Sequence, residues 1–453
     1  MHLFLVSTAA LLASVCQAQH VGRVGPTVPV TSKKYPCNVL DYGAKADNAT
    51  DIGPAIKSAF TNCIVKNHNS RLVVPAASSG IGSGGNYLLS TTVLLNGASN
   101  WAFQLDGLIT VDYSAYVKGT VAGNALVFQR MNEFELYSSN GKGAIQGQGY
   151  LYRLRPKQAG RAGWPRLLRV HLSTNFAVHD LKLVDAPAFH LVVSQATNAE
   201  VHRITIRGGN QGGLDGVDIS GTNYHVHHVE VTNRDECVCV KSPSKQATIE
   251  NIRCNQSGGS TIGSLKDGSV IENILFQNIE NYQVTNAFML KTYPGGASPG
   301  YVKNVVLRNF TNIDVTYNAY ITQYWQNSYA AGTSNVQLSN ILFSDWRGSV
   351  SHGGNRGAVV MIGSDTNPPV NINVKNFSFW TTNGNKVVDR CSSTYGSGSC
   401  IEVLPAKGTP TKYATVSVTA TAAPAGWVKP SAPWGIPPYG KRTSSGDRLV
   451  PPD

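Results

Sequence analysis

A six-residue pattern recurs along the chain from residue 178 onward, with apolar residues at its first, fourth and sixth positions and mostly polar residues between. The first five copies begin 22 to 25 residues apart, and the later intervals lengthen to 31 and 36 residues. Short β-type runs at such a period predict a solenoid, because each repeat can bury its apolar face only against its neighbours. The copies are VHDLKL (178–183), VHRITI (201–206), VHHVEV (226–231), IENIRC (249–254), IENILF (271–276), VKNVVL (302–307), LSNILF (338–343) and VKNFSF (374–379).

The period and the signature of the repeat separate the possible solenoid and repeat architectures. Leucine-rich repeats need an LxxLxL signature and a helix, which the copies lack, and propeller blades need about forty residues. We therefore predict an all-β protein, a right-handed parallel β-helix with about 23 residues per coil. The longer intervals are interpreted as coils with loop insertions, which tend to gather on one face.

The strongest helical signal lies near the start of the chain, in CNVLDYGAKADNATDIGPAIKSAFTNC, residues 37–63. Apolar residues there follow helical spacing from position 51 onward: Ile52, Ala55, Ile56, Ala59 and Phe60. We predict an amphipathic N-terminal capping helix that covers one end of the solenoid and is tied back by a disulfide.

Composition suggests three segments. Residues 1–18 have a polar start, an apolar stretch and a small-residue ending, and are predicted to be a secretory signal peptide. Residues 19–421 are predicted to form a single parallel β-helix catalytic domain, with a late strand within 408–421. Residues 422–453, rich in Pro, Gly and Ser, are predicted to be an irregular tail. No other run is long and apolar enough to span a membrane, so we expect a secreted, extracellular protein with no membrane partner. We also expect this protein to be a monomer.

The cysteines agree with export, where disulfides form. Without Cys16 the chain keeps seven cysteines, so one thiol is expected to stay free and buried. No CxxC or histidine partner spacing supports metal ligation, and we predict no metal site. Clustering favours three pairs, with one alternative left open: Cys37 with Cys63, Cys391 with Cys400, and Cys254 with Cys237 or Cys239.

The formal net charge is +12, which suits an acidic partner. Because the chain is predicted to be exported and no Lys/Arg run exceeds two residues, an acidic plant cell-wall polysaccharide is favoured over nucleic acid. Four Asn-X-Ser/Thr sequons fit a secretory route and are predicted glycosylation sites: Asn48, Asn255, Asn309 and Asn376.

Two carboxylate clusters lie about twenty residues apart: Asp215 with Asp218, and Asp235 with Glu236. The strands LDGVDIS and ECVCVKS can be set in register, which places Asp215 beside the second cluster, one strand spacing of roughly 4.8 Å away. Like charges this close raise each other's pKa. Glycoside hydrolysis uses this effect, since one carboxyl must be protonated and another ionised. The alternative interpretation is that these residues are ordinary turn and solvated loop residues.

Several ordered motifs resemble the pectin-degrading glycoside hydrolases of family 28, and specifically the fungal rhamnogalacturonan hydrolases. The resemblance spans roughly residues 37–405. It implies a parallel β-helix and an inverting, cofactor-free hydrolysis of α-1,2 linkages between galacturonate and rhamnose in the rhamnogalacturonan I backbone of pectin. The motifs are DYGA (41–44), GLDGVD (213–218), RDECVCVKS (234–242), GGSTIGS (258–264) and MLKT (289–292).

The resemblance also implies roles for individual residues. Asp235 takes the place of the general acid, and Asp215 with Glu236 take the places of the carboxylates that hold the attacking water. Lys291 matches the lysine that would bind a uronate carboxylate. Asp218 is either a further catalytic residue or a support of the turn.

Departures from the polygalacturonase pattern bear on the substrate. Met289 stands where that pattern has an Arg, so a bidentate carboxylate clamp is missing and one subsite is expected to accept a neutral sugar. His190 is a candidate sugar contact, with a packed histidine as the alternative. The histidines at 225, 227 and 228 lack acidic partners at ligand spacing along the sequence and are predicted to be packing and surface residues.

Other functions remain open at this stage. The same site would suit an exo-acting enzyme or one of different specificity, such as a polygalacturonase, xylogalacturonan hydrolase or rhamnohydrolase. A pectate-lyase-like β-helix would use Ca²⁺ and an Arg or Lys base. A non-catalytic polysaccharide-binding β-helix would use the carboxylates only to bridge sugars.

Overall fold

The computed structural model describes residues 20–76, 86–153, 164–326, 334–351, 356–381, 385–403 and 414–418, with a few short stretches beyond residue 421. Long strands pair in parallel with strands one turn of the chain away, which makes the protein a right-handed parallel β-helix and confirms the predicted fold class. The predicted signal peptide and most of the predicted tail lie outside the described residues.

The chain divides into two compact units. The N-terminal unit comprises Gly22–Cys239, Asn255–Gly258 and Ala432–Asp453, and the C-terminal unit comprises Met1–Val21, Val240–Cys254 and Gly259–Ser431. That residues 19–421 act as a single catalytic domain stays a prediction.

The N-terminal unit stacks its strands in register on successive coils. For example, Leu191 pairs with Leu168 on one side and with Val217 on the other. The strands are Tyr35–Asn38, Ser70–Val74, Asn86–Leu89, Val93–Leu105, Leu108–Val111, Asn124–Tyr137, Ala144–Gln146, Arg166–His171, Thr174–His179, Lys182–Val184, Leu191–Arg207 and Val217–Thr232.

The C-terminal unit has the same architecture and ends in an antiparallel pair formed by Val387–Ser392 and Ala414–Val418. That last strand confirms the late strand predicted within 408–421. The strands are Glu236–Asn255 (which begins in the N-terminal unit), Gly259–Leu265, Val270–Tyr282, Asn286–Thr292, Gly295–Val315, Tyr317–Thr322, Ser334–Val350, Val359–Ile362, Val370–Trp380, Val387–Ser392, Gly396–Ser397 and Ala414–Val418. Lys441–Arg442 and Leu449–Val450 form a separate antiparallel pair.

The third residue of the six-residue pattern explains why its apolar positions are the first, fourth and sixth. In all eight copies this residue is left-handed, with φ between 49° and 58°. The bend interrupts the two-residue alternation of a strand, so the first, fourth and sixth side chains all face inward. In the copy 201–206 these are Val201, Ile204 and Ile206, each at most 1% exposed.

Asparagine occupies this third position in five of the eight copies, and it tolerates left-handed backbone better than most residues. In the C-terminal unit the corner asparagines also form a row of side-chain hydrogen bonds. Asn304 Nδ2 donates to Asn273 Oδ1 at 3.0 Å, and Asn340 Nδ2 donates to Asn304 Oδ1 at 3.2 Å. The residues that bend each coil therefore also join it to the next.

The predicted capping helix is present as Gly53–Ala59 and continues as a π-turn over Phe60–Ile64. Its predicted apolar face is buried, and Phe60 packs edge-on against Trp101 of the core with ring centroids 5.2 Å apart. The other helices among the described residues are short: Tyr113–Lys118 and Gly149–Arg153, with 3-10 turns at Val30–Ser32 and Val39–Tyr42. No helix in the described part of the chain combines the length and apolarity needed to cross a membrane.

The structure contains the disulfides Cys37–Cys63 and Cys391–Cys400. Cys237 and Cys254 are also disulfide-bonded, whereas the buried Cys239 is not in a disulfide, which decides between the two alternatives left open by the sequence.

Three of the four sequon asparagines, Asn48, Asn309 and Asn376, are exposed, and their glycosylation stays a prediction. Asn255 is different, because it is 2% exposed and its amide donates to Thr232 Oγ1 at 3.2 Å. The expectation that Asn255 carries a glycan is therefore wrong for the folded chain.

Candidate active site

Asp215 lies two residues before the strand Val217–Thr232, and its backbone is held from two sides. Its carbonyl oxygen accepts hydrogen bonds from the backbone N–H of His190 at 2.9 Å and from the ring Nδ1 of His190 at 3.0 Å. The next N–H, of Gly216, donates to the carbonyl of Glu236 at 2.8 Å. A side chain at Gly216 would collide with the carbonyl oxygen of Cys237, so glycine is needed for this close approach.

Asp235 is fixed by backbone donors. Its Oδ1 accepts the N–H of Glu236 at 2.9 Å, and its Oδ2 accepts the N–H of Gly213. Its own carbonyl accepts the N–H of Gly258 at 2.6 Å. Gly213 has φ of 81°, which only glycine adopts without strain, so the turn before Asp215 helps to orient the carboxyl of Asp235.

Asn233 joins the two carboxylate-bearing segments, a role that the sequence analysis missed. Its Nδ2 donates to the carbonyl of Leu214 at 2.7 Å and to the carbonyl of Glu236 at 3.1 Å, and the residue is fully buried. An asparagine just before an acidic pair is common in loops, so only the fold reveals this bridge.

Three of the four candidate carboxylates come together. One oxygen from each of Asp215, Asp235 and Glu236 lies within 4.8 Å of the others, as the strand register predicted. Asp215 is 3% and Glu236 6% exposed, whereas Asp235 is partly exposed. Asp218 is not in this group; it is the second residue of its strand, is 4% exposed, and pairs in register with Val192.

The environment of Asp235 favours its neutral form. The pKa of Asp235 is raised to about 8, chiefly by burial and also by the neighbouring charge of Glu236 and a hydrogen bond between the two side chains. The N–H groups of Gly213 and Glu236 oppose this shift because they stabilise the ionised carboxylate. The carboxyl of Asp235 is therefore mostly protonated at neutral pH, next to two other carboxyl groups.

His190 supports the site from behind and does not contact sugar. The side chain is fully buried, so the expectation of a substrate contact is wrong. Its Nε2 accepts the N–H of Ala186 at 3.2 Å, which leaves the proton on Nδ1, where it is donated to the carbonyl of Asp215. Burial lowers the pKa of His190 to about 4, so the ring stays neutral in this role.

A buried ion pair holds the backbone around Ala186. Arg153 pairs with Asp185, and both side chains are fully buried. Arg153 Nη1 also donates to the carbonyl of Ala186 at 2.8 Å. The support therefore runs from Arg153 through Ala186 and His190 to Asp215.

Lys291 lies in the C-terminal unit on the strand Asn286–Thr292. It is 7% exposed, and its Nζ sits 4.4 Å from the ring centroid of Trp325, a cation–π contact. Met289 lies two residues before Lys291 and shares its face of the strand. The alternate residues Phe288 and Leu290 are fully buried in the core.

A family model described as glycosyl hydrolases family 28 matches residues 68–400. The chain belongs to this family. It is 41% identical over 430 residues to a probable rhamnogalacturonase B of Neosartorya fischeri, covering 94% of this chain and 78% of that protein. It is 40% identical over 427 residues to rhamnogalacturonase A of Aspergillus aculeatus, covering 94% and 90%. The protein is thus a glycoside hydrolase.

Two solved structures have a similar fold. An endo-xylogalacturonan hydrolase from Aspergillus tubingensis superposes with a TM-score of 0.67 at 24% identity, covering 77% of this chain and 94% of that one. An exopolygalacturonase from Thermotoga maritima gives a TM-score of 0.67 at 15% identity, covering 91% and 99%. These likenesses concern the fold alone.

The pH dependence of kcat/KM of this family 28 enzyme should reflect the ionisation of Asp235. Because its pKa is raised to about 8, we expect kcat/KM to fall as the pH rises through that value and the acid loses its proton. Glu236→Gln removes the charge and the acceptor that help to raise this pKa, so the residual activity should decline at a lower pH. Asp218→Asn is the matched control. If kcat/KM of Glu236→Gln falls at the same high pH as in the wild type, Glu236 does not raise the pKa of Asp235 and the prediction is contradicted.

His190 is expected to act on catalysis through position. His190→Gln cannot bridge Ala186 and Asp215, and we expect kcat to fall about 100-fold with little change in KM, because a small displacement of a reacting group is enough for such a loss. His171→Asn, a change of a partly exposed histidine bonded to Ser194 Oγ, is the control. A matching rise in KM with kcat preserved would argue against the positioning role.

Proposed function

We propose that the protein is a secreted, endo-acting hydrolase of the rhamnogalacturonan I backbone of pectin, which cleaves α-1,2 linkages between galacturonate and rhamnose with inversion. The observation that carries the proposal is the carboxyl trio in which Asp235 stays protonated near neutral pH. The choice of substrate is supported by the names of the relatives, which are rhamnogalacturonases aligned over 94% of this chain.

In the proposed mechanism Asp235 donates its proton to the glycosidic oxygen as the bond to the anomeric carbon breaks. Asp215 and Glu236 hold a water molecule and remove its proton as it attacks that carbon. The hydrogen bond between Asp235 and Glu236 keeps the proton in the pair until substrate arrives. The burial of Asp215 and Glu236 strengthens their interaction with the charge that develops on the sugar.

Inversion rests on the family resemblance and on the presence of two carboxylates beside the acid. The nearest oxygens, within 4.8 Å, are closer than the roughly 6.5–9.5 Å between carboxyl groups of most inverting enzymes. The anomeric form of the first product tests this proposal directly.

The chemistry around Lys291 supports alternating acidic and neutral sugars. Its ammonium group is a single point charge suited to one uronate carboxylate, and Trp325 offers an aromatic face. Met289 supplies an apolar, uncharged side chain where the polygalacturonase pattern has a cation. The net charge of +12 favours approach to a polyanionic chain, and the sequence of residues 1–18 supports secretion.

The test is to incubate the purified protein, with a chelator present, on rhamnogalacturonan and separately on homogalacturonan, and to follow the size of the products. We expect a rapid fall in polymer size and a series of oligomers from rhamnogalacturonan alone. Release of only the smallest product would indicate exo action. Cleavage of homogalacturonan would contradict the substrate, and unsaturated products absorbing in the ultraviolet would indicate a lyase. Binding without chain shortening would leave a non-catalytic β-helix.

A further inference from the structure

A second group of ionisable side chains lies on the outer face of the N-terminal unit, on the strands Leu191–Arg207 and Val217–Thr232. The register places Glu200 beside His225 and His202 beside His227 on adjacent coils. Val201 lies between Glu200 and His202 in the strand and is fully buried. The side chains of Glu200 and His202 therefore point away from the core.

Three of these side chains converge closely enough to share one ion. One ligand atom from each of Glu200, His225 and His227 lies within 4.8 Å of the others. Glu200 Oε1 is 2.9 Å from Nε2 of His227, and the rings of His225 and His227 are 4.2 Å apart between centroids. These histidines have no acidic partner at ligand spacing along the sequence. Glu200 lies 25 positions before His225 and becomes its neighbour only because the two coils stack.

Neighbouring groups hold the ligand side chains in place. The ring of His202 stacks parallel on His227 with centroids 4.9 Å apart, and His179 stacks on His202 at 4.7 Å. Nδ1 of His227 lies 2.7 Å from Nδ1 of His228, so His228 can accept the proton that His227 carries when its Nε2 binds a metal.

The N-terminal segment also closes in on this group. The N–H of Gly25 donates to the carbonyl of Asn198 at 2.9 Å, and a Cβ at Gly25 would lie 3.1 Å from Oε2 of Glu200. The segment thus fits closely against the carboxylate while the histidine side remains partly open to solvent.

We propose that Glu200, His225 and His227 form a binding site for a divalent first-row transition metal, with Zn²⁺ the ion that suits it best. Two imidazoles and one carboxylate make a common zinc ligand set, and a water molecule would complete a tetrahedron. Ligands from two coils would be joined by the ion. Its role is to stabilise the N-terminal unit, independently of the carboxyl trio that carries the proposed chemistry.

The test uses the full chain, stripped with a chelator and titrated with Zn²⁺ by calorimetry. We expect one equivalent to bind and the Tm to rise with added Zn²⁺, since an ion that binds only the folded state stabilises it. His225→Asn and His227→Asn should each weaken binding at least tenfold, and His228→Gln roughly tenfold. Co²⁺ should show the visible absorption of a tetrahedral site in the wild type and lose it in the ligand variants.

Two control variants separate this site from its surroundings. His179→Asn alters the same stack of rings without removing a ligand, and Asp235→Asn alters the carboxyl trio; both should bind Zn²⁺ as tightly as the wild type. If a histidine variant does not fold, Glu200→Gln is measured in its place, and it should also weaken Zn²⁺ binding. The proposal is overturned if the wild type binds no Zn²⁺, if the ligand variants bind it undiminished, or if Asp235→Asn abolishes binding.

Discussion

We expect replacement of Asp235 with Asn to lower kcat on rhamnogalacturonan by about 10²–10⁴-fold, the contribution of a well-placed general acid. The amide matches the carboxyl in shape but has no proton to transfer to the leaving oxygen. Substrate binding should change little, because Asn keeps the size of the side chain and one oxygen acceptor for the backbone N–H groups of Gly213 and Glu236. Initial rates and KM measured on defined oligomers check the prediction.

The same variant should be more stable than the wild type near neutral pH. The folded-state pKa of Asp235 is raised from 3.8 to about 8, so ionising this group destabilises the folded state, and stability is lost as the pH rises between these values. Asn does not ionise, so the stability of the variant relative to the wild type should increase as the pH rises between these values. Asp218→Asn, outside the trio, should keep most activity. Full activity in Asp235→Asn, or equal losses in both variants, would refute the assignment of the acid.

Asp215→Asn should lower kcat by about 10²–10⁴-fold, because the attacking water loses the carboxylate that removes its proton. Azide needs no such base, since it is already an anion. We therefore expect added azide to restore part of the rate of Asp215→Asn and to yield a glycosyl azide. Mass spectrometry of the products and the azide dependence of the rate provide the measurement.

Asp235→Asn is the matched comparison for this experiment. Azide cannot supply the proton that the leaving oxygen needs, so no recovery is expected in that variant. Recovery in Asp235→Asn but not in Asp215→Asn would exchange the two roles. An Asp215→Asn variant with normal activity would remove Asp215 from the mechanism.

The fold could be predicted because each coil repeats the same physical requirement. Apolar residues at the first, fourth and sixth positions face one core, and the period of about 23 residues is too short for a propeller blade. The left-handed backbone at the third position was not predicted, although asparagine at 251, 273 and 304 was a signal for it.

The site could be predicted only as far as strand register brings side chains together. Register placed Asp215 near Asp235 and Glu236, which the structure shows as a single group. It could not reveal that Asn233 bridges both segments, or that His190 is buried behind Asp215 rather than facing the sugar. Such contacts depend on where loops return in space, which periodicity does not encode.

The carboxyl trio is proposed to hydrolyse rhamnogalacturonan with inversion. Proton NMR of a defined rhamnogalacturonan oligosaccharide during cleavage tests this most directly. The anomeric signals show which form of the new reducing-end galacturonate is released before mutarotation. The mechanism predicts that the β-anomer appears first, from an α-linkage, with the wild type and not with Asp235→Asn. Initial release of the α-anomer, or no cleavage of this substrate, would contradict the account.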